Sequence, residues 1–382
     1  MSKKPSIKSR NKGPLVSGFV FVYVFAIAVG AGGCLRDGRA RALIDGEIGI
    51  ATESGVSFAV GDGLAHVRAI EDGRLDLWAS APAFELIANA GSGAATEWII
   101  EVDNCMPGAE MVAASSGAPL VIEVLEADPR PVLRRWRVRL PDNAETRLRI
   151  APPDADSAGM WRFAVMGDIQ EALDRVDEVF ARINRESGVR FVVSTGDLVD
   201  RGTLGEYETL QLQYRRLDIP YYTTIGNHEL YADHERWSER FGRFNVHFQF
   251  KEVTFSLIDS GSASIDPVVY GWIDQWLERA ANGVHVVATH YPPIDPVGIR
   301  SGSFRSRKEA AKFLSKLASG RVDMTFYGHI HSYYEFSNAG MPAYISGGGG
   351  ALPERLDGIG RHFLTVDMRM DGIERVDVVR VD

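Results

Sequence analysis

The chain has 382 residues, of which 45% are hydrophobic, and a formal net charge of -9 at pH 7. This length is enough for two ordinary domains of about 100–200 residues each. The acidic balance lacks the basic footprint of nucleic-acid-binding proteins, so no nucleic-acid-binding surface is expected. The two cysteines, Cys34 and Cys105, are too few for a disulfide scaffold or a thiolate zinc site. Any bound metal must therefore have oxygen and nitrogen ligands.

The amino-terminal segment has the layout of a secretory signal. Residues 1–14 carry five basic side chains and no acid, and residues 15–31 are almost wholly apolar. Gly33-Cys34 resembles a lipoprotein processing box, in which the cysteine becomes the acylated first residue. Ordinary cleavage and an uncleaved anchor helix are the alternatives, because the apolar run is just short of the ~20 residues that span a bilayer comfortably. Residues 1–34 thus predict export to the periplasm or cell surface, with attachment to the membrane.

Short apolar strands alternate with turn sequences between residues 40 and 155. Turn signals such as Gly61-Asp62-Gly63 recur at regular intervals, and residues 135–140 alternate arginine with apolar side chains. This pattern predicts a small antiparallel all-β sandwich domain, in which we find no catalytic cluster. The proline-rich residues 151–156 are predicted to be a linker.

The second region, residues 160–382, alternates buried strands with amphipathic helices, which predicts an α/β domain. Helix starts are indicated by capping residues, Thr203 with Glu206 and Ser306 with Glu309. The tail predicts a hairpin that turns at Asp371-Gly372.

Polar side chains follow five of the apolar runs in this region, each directly after a glycine or a threonine. They are Asp168, Asp197, Asn227 with His228, His290, and His329 with His331. Because ligands bind at the carboxyl ends of the strands in α/β sheets, we expect these side chains to meet at one edge. Carboxylate, carboxamide and imidazole groups together are suited to divalent metals.

In order and spacing, these motifs resemble the calcineurin-like metallophosphoesterase superfamily over residues 160–350. The motifs are Gly167-Asp168, Gly196-Asp197-Leu198-Val199-Asp200-Arg201-Gly202, Gly226-Asn227-His228-Glu229, Thr289-His290 and Gly328-His329-Ile330-His331. The resemblance implies a four-layer α/β/β/α sandwich with two metal ions at the carboxyl ends of its strands. The sequence Thr289-His290-Tyr291-Pro292-Pro293 is more similar to the purple acid phosphatase and phosphodiesterase branches than to the protein phosphatases.

The resemblance also implies which residues hold two divalent ions, for which Mn, Fe and Zn are the candidates. By position, Asp168, Asp197 and His331 would hold the first ion. Asn227, His290 and His329 would hold the second, with Asp197 bridging both. Gln170 stands where the family has a histidine, and as a neutral oxygen donor it is expected to weaken the first site or bias it toward harder ions such as Mn and Mg.

Three further residues are implied in catalysis. His228 would face the leaving group as a general acid, and Asp200 would hold its other ring nitrogen. Arg201 could bind phosphate oxygens with both of its terminal nitrogens. Two divalent ions about 3.5–4 Å apart would lower the pKa of a shared water and hold the oxygens of the phosphate.

The sequence therefore predicts a metal-dependent phosphatase or phosphodiesterase that acts on a phosphorylated small molecule or an exposed phosphoester. The alternative is a non-catalytic envelope binding protein in which Gln170 marks a degenerate metal site. The presence of His228 and Asp200 favours the enzyme, because an idle site has no physical need for a general acid.

Overall fold

The structure is a computed structural model that describes residues 36–116, 120–125, 129–298, 302–369 and 372–381. The signal or anchor predicted for residues 1–34, including Cys34, lies outside the described residues. In the part of the chain that is described, no helix is long and apolar enough to cross a membrane.

Ten strands between residues 50 and 151 form two five-stranded sheets. They are β1 (Ile50–Glu53), β2 (Val56–Val60), β3 (Ala65–Glu71), β4 (Arg74–Ala79), β5 (Phe84–Ala90), β6 (Glu97–Asp103), β7 (Glu110–Ser116), β8 (Val121–Val124), β9 (Arg134–Arg139) and β10 (Ala144–Ala151). The strand orders are β1-β2-β5-β10-β7 and β3-β4-β6-β9-β8. The rings of Phe58 and Trp98, from different sheets, pack 4.8 Å apart in the shared core. The predicted all-β sandwich is confirmed, but it is not wholly antiparallel, because β4 and β6 pair in parallel.

Eleven strands among the described residues build the second region. They are β11 (Trp161–Met166), β12 (Val189–Ser194), β13 (Tyr221–Thr223), β14 (Val246–Phe250), β15 (Val253–Ile258), β16 (Val284–Thr289), β17 (Met324–Tyr327), β18 (Tyr333–Asn338), β19 (Met341–Ser346), β20 (His362–Arg369) and β21 (Gly372–Arg380). One sheet has the order β13-β12-β11-β20-β21 and the other β14-β15-β16-β17-β19-β18. The antiparallel pair β20 and β21 forms the predicted closing hairpin.

Helices cover the outer faces of both sheets. The helices are α1 (Arg36–Asp45), α2 (Val176–Asn184), α3 (Leu204–Tyr214), α4 (Glu235–Phe241), α5 (Pro267–Arg279) and α6 (Arg307–Ser319). Apolar residues of α2 and α3 pack on the first sheet, and those of α5 and α6 pack on the second. The inner faces of the two sheets share a core, in which Phe163 and Phe255 lie 5.2 Å apart. The predicted α/β/β/α order of layers is thus confirmed.

The helices begin where the sequence predicts. Thr203 and Glu206 form a complete capping box at the start of α3. The Ser306 side chain accepts the N–H of Glu309 at the start of α6. Each cap satisfies backbone N–H groups that have no partner within the helix.

Two segments tie the sandwich and the amino-terminal helix to the α/β region. The carbonyl of Ala155, in the predicted linker, accepts the N–H of Lys251 at 2.7 Å. In α1, the buried Arg41 guanidinium donates to both carboxylate oxygens of Asp259, at 2.6 and 3.1 Å. Residues 151–156 are therefore fixed in place by hydrogen bonds and do not form a free tether.

Candidate metal centre

The polar strand-end residues lie together at one edge of the two sheets. Strands β11, β12 and β13 are parallel, as are β16 and β17, so their carboxyl ends meet at this edge. The residues that contact one another there are Asp168, Gln170, Asp197, Asn227, His228, His290, His329 and His331. The predicted cluster is thus present in the fold.

In one half of the cluster, the side chain of Asn227 contacts two histidine rings. Its Oδ1 atom lies 2.9 Å from His290 Nε2 and 3.0 Å from His329 Nδ1. The Oδ2 atom of Asp197 lies 3.4 Å from the same His290 Nε2. Ligand atoms of Asp197, His290 and His329 all fall within 4.8 Å of one another, which is close enough for one ion to contact all three.

The tautomer of His290 determines whether its Nε2 atom is a donor or an acceptor. The other ring nitrogen, Nδ1, faces the carbonyl of Thr195 at 2.9 Å and must donate to it. In the neutral ring, Nε2 then carries a lone pair, and this lone pair faces the oxygens of Asn227 and Asp197. Acceptors that converge without a donor between them are stabilised by a cation, so these residues fit a divalent metal.

The other half of the cluster contains Asp168, Gln170 and His331. The Nδ1 atom of His331 donates to the carbonyl of Leu352 at 2.9 Å, which leaves Nε2 free to accept. Gln170 Nε2 lies 3.1 Å from that nitrogen and 2.7 Å from Asp197 Oδ2. The amide of Gln170 therefore bridges two acceptors, and its oxygen would face them after rotation of the amide.

Burial and neighbouring charged groups shift the pKa values of these residues. Desolvation, together with the Asp197 carboxylate, raises the pKa of Asp168 well above its usual value. Burial opposes ionisation of Asp197, but the electrostatic interactions with His290, His228 and His329 and the hydrogen bond from the His228 N–H together lower the pKa of that carboxyl. Desolvation lowers the pKa of His329 to about 3 and also lowers that of His290, which opposes protonation of both rings.

Comparison with known proteins identifies the region that carries this cluster. Residues 162–333 match the family model of the calcineurin-like phosphoesterases. This part of the chain is a calcineurin-like phosphoesterase domain. The resemblance inferred from the motifs is thus confirmed, and divalent metals are the cofactors of this family.

Two curated proteins are similar to the phosphoesterase domain. One, from Arcobacter nitrofigilis, is named as a probable glycerophosphodiester phosphodiesterase and is 28% identical over 155 residues, which are 37% of this chain and 56% of that protein. The other, from a Nostoc strain, is named as a 3',5'-cyclic-nucleotide phosphodiesterase and is 26% identical over 153 residues, with the same two coverages. The chain therefore spans little more than half the length of each of these relatives.

The fold is also similar to that of a solved dimetal phosphatase from Danio rerio. The two chains superpose with a TM-score of 0.45 and 14% identity, over 59% of this chain and all of the other.

The loops that carry the cluster are tightly constrained. Asp168, Asp197 and His329 have φ angles of 63°, 55° and 68°, in the left-handed region that L-residues rarely adopt. A Cβ atom added to Gly226 would lie 2.1 Å from Asp197 Oδ1, so only glycine allows this approach. Such strain persists only where the surroundings enforce it, and it is common at functional sites.

Glu229 is the main connection between two of these loops. Its Oε1 atom accepts the N–H groups of Leu198 and Val199, at 2.6 and 3.2 Å. Its Oε2 atom accepts those of Gly226 and Asp197, at 2.8 and 3.2 Å. Burial and the nearby Asp197 raise the pKa of Glu229, but the N–H groups of Gly226, Leu198 and Val199 oppose that shift and favour the ionised carboxylate. Glu229 thus fixes the loop of Asn227 against the loop of Asp197.

Replacing Glu229 with glutamine should destabilise the phosphoesterase domain. A carboxamide has only one acceptor oxygen, so two of the four N–H groups would face an NH₂ group. We expect a loss of about 2–5 kcal/mol, since each buried donor left unpaired costs about 1–3 kcal/mol. Thermal and urea unfolding would measure it. Glu206→Gln, which alters a capping carboxylate near the surface, is the control and should cost less than about 1 kcal/mol. Equal stabilities of the two variants would contradict this role of Glu229.

His228 is oriented by a backbone carbonyl. Its Nδ1 atom lies 2.7 Å from the carbonyl oxygen of Asp200 and 3.3 Å from the Asp200 carboxylate. Nδ1 therefore carries a proton, and Nε2 faces the cluster, 3.9 Å from Asp197 Oδ2. Arg201 is 76% exposed and contacts the Asp200 carboxylate at 3.3 Å.

Several contacts at the site involve atoms that sequence motifs do not reveal. The carbonyls of Thr195 and Leu352 fix the tautomers of His290 and His331. The ring of Tyr291 lies against that of His329, with centroids 3.8 Å apart and planes tilted by 34°. A backbone carbonyl is present at every position, so no sequence pattern marks these two. Glu229 was visible in the Gly226-Asn227-His228-Glu229 motif, but its bonds to the loop of Asp197 were not.

Proposed function

We propose that the chain is a metal-dependent phosphoester hydrolase with a dinuclear metal centre. The proposal is carried by the lone pair of His290 Nε2, which faces the oxygens of Asn227 and Asp197 at 2.9 and 3.4 Å. A structural core avoids such convergence of acceptors, whereas a metal centre requires it. The phosphodiesterase names of the two curated relatives support the reaction class.

The proposed ligands form two sets that share Asp197. The first set is Asp168, Gln170, Asp197 and His331, and the second is Asp197, Asn227, His290 and His329. Bound divalent ions would supply an activated water and positive charge for the phosphate oxygens. The left-handed loops and the Glu229 anchor would hold the donors in place before the substrate arrives, which avoids reorganisation during the reaction.

His228 is proposed as the general acid. Because Nδ1 donates to the Asp200 carbonyl at 2.7 Å, the ring is fixed with Nε2 toward the cluster. A proton on Nε2 would be delivered to the oxygen of the leaving group as its bond to phosphorus breaks. Arg201 is exposed on the same loop as Asp200 and is proposed to contact the outer oxygens of the substrate.

Metal content and hydrolysis, measured on the same preparation of the full chain, would test this function. We expect about two equivalents of Mn, Fe or Zn, loss of hydrolysis after chelation and recovery on adding the metal back. A panel of monoesters, diesters and pyrophosphates would define the substrate class. A folded protein that binds metal weakly or not at all and hydrolyses none of them would instead support the envelope binding protein with a degenerate metal site.

Gln170→His should strengthen the first metal site. Gln170 contacts both Asp197 and His331, at 2.7 and 3.1 Å, and an imidazole there adds a nitrogen ligand. We expect tighter binding and a shift in preference from Mn toward better nitrogen-binding ions such as Zn. Calorimetric titrations with Mn and Zn would measure it, with Gln249→His as a control outside the cluster. Overlapping titrations for wild type and Gln170→His would show that Gln170 is not part of the metal site.

We also propose that the protein is exported and attached to the membrane through Cys34 or the apolar segment before it. Cys34→Ser should then release the protein into the soluble fraction if the thiol is acylated, because the thiol is the attachment point. Fractionation and intact-mass measurement would check this. Continued membrane association with an unshifted mass would favour an anchor helix.

A further inference from the structure

A loop after β19, residues 351–358, lies beside the metal centre and is called the mouth loop here. The carbonyl of Leu352 accepts His331 Nδ1 at 2.9 Å, and the N–H of Glu354 donates to the His331 carbonyl at 3.1 Å. The N–H of Leu352 donates to the Glu171 carboxylate at 2.7 Å. The N–H of Ala351 donates to the carbonyl of Asp168 at 2.9 Å. The mouth loop is therefore fixed directly to two proposed metal ligands.

The same loop leaves large apolar side chains in water. Leu352 is 74% exposed and Leu356 is 82% exposed. Between them, Arg355 is also exposed. Hydrogen bonds hold the backbone of Leu352 at both its N–H and its carbonyl, so the residue itself is fixed beside His331. Two exposed leucines on a loop that is bonded to Asp168 and His331 provide an apolar surface, and covering that surface with apolar groups would be favourable.

A second apolar surface lies beside the proposed general acid. Tyr231 is 65% exposed, and its ring centroid lies 4.8 Å from that of His228. A leaving group beside His228 would thus also meet the ring of Tyr231.

We propose that the substrate is an amphiphilic phosphoester whose hydrocarbon chain binds against Leu352 and Leu356 of the mouth loop. This inference rests on the proposed phosphoesterase function and names its substrate class. The phosphate would bind at the metal centre, and the chain would cover the leucines, which are one to five residues from the loop's anchor at Ala351. A small polar ester would leave both leucines in water and gain nothing from them.

The inference predicts that affinity rises with chain length. A fully buried methylene strengthens binding about fourfold, and one covered on a single side about twofold. An octyl chain should therefore bind at least about 30-fold more tightly than a methyl group, allowing for ordering of the chain.

Alkylphosphonates, which the enzyme cannot hydrolyse, provide the test. Methyl-, butyl- and octylphosphonate, each below its micellar concentration, would be titrated calorimetrically into the Mn-loaded full chain. The variants are Leu356→Ser, whose side chain is almost wholly exposed, and Leu352→Ser/Leu356→Ser. The matched control is Leu212→Ser in α3, where the wild-type side chain is 59% exposed. The wild type and the control should show the chain-length gain, and the mouth-loop variants should lose most of it.

Several outcomes would overturn the inference. Equal affinities for methyl- and octylphosphonate in a wild type that hydrolyses esters would show that the hydrocarbon chain does not contribute to binding. The proposed function would stay intact. A chain-length gain that persists in the double variant would place the chain elsewhere. Phosphatidylcholine vesicles that bind without phosphonate, and only when the leucines are present, would assign these side chains to a bilayer. A chain that binds no phosphonate and hydrolyses no ester would overturn the proposed function, and the inference with it.

Discussion

Asp197→Ala is expected to abolish hydrolysis and metal loading together. The Oδ1 atom of Asp197 accepts the N–H of His228 at 2.9 Å, and Oδ2 lies 2.7 Å from Gln170 Nε2 and 3.4 Å from His290 Nε2. The carboxylate thus contacts residues of both ligand sets as well as the proposed general acid. Without it, two dications would face each other with no shared anion. We expect a loss of activity of at least about 10⁴-fold, since the whole metal contribution disappears.

Metal analysis by mass spectrometry, together with initial rates on an aryl phosphate, would measure both effects in one preparation. Asp323→Ala is the matched control, because the Asp323 carboxylate also accepts a backbone N–H, that of His285, at 2.7 Å. Asp323 precedes β17 and so lies at the opposite end of this strand from His329. The control should keep its metal and its activity. Full activity in a folded Asp197→Ala protein would contradict the dinuclear centre.

The fold and most of the cluster could be predicted because they depend on local patterns. Short apolar runs form buried strands, and a glycine directly afterwards allows the sharp turn that brings Asp168, Asp197 or His329 to the sheet edge. Parallel pairing then brings distant residues to the same place. The capping residues of α3 and α6 were likewise local signals.

The remaining features depend on contacts between distant segments. The carbonyl of Leu352 bonds to His331, and the carboxylate of Glu171 holds the N–H of Leu352 in the mouth loop. Neither residue belongs to a recognisable sequence motif. The parallel pairing of β4 with β6 was missed because alternation of apolar residues is the same in both pairing directions. The fixed position of residues 151–156 comes from Lys251, about 100 residues away, whereas proline content alone indicates a linker.

The role of Asp200 could also not be predicted in detail. An Asp–His pair suggests a carboxylate that orients the ring, but the shorter contact of His228 Nδ1 is to the Asp200 carbonyl, 2.7 Å against 3.3 Å. Because of this difference, we expect different effects from replacing Asp200 and from replacing His228. Asp200→Asn keeps the carbonyl and should lower turnover by less than about tenfold, whereas removal of the His228 ring removes the acid itself.

His228→Asn should keep the metals and slow turnover by about 10²–10⁴-fold for esters with poor leaving groups, the usual contribution of general acid catalysis. An alkoxide is a strong base and needs a proton as it leaves, so an alkyl phosphate should show the full effect. A nitrophenolate leaves without one and should be much less affected. Rates on alkyl and nitrophenyl phosphates, with metal content measured in parallel, would test this, and the wild-type protein provides the reference ratio. Equal losses on the two substrates would show that His228 is not the acid, and loss of metal would make it part of the metal-binding set.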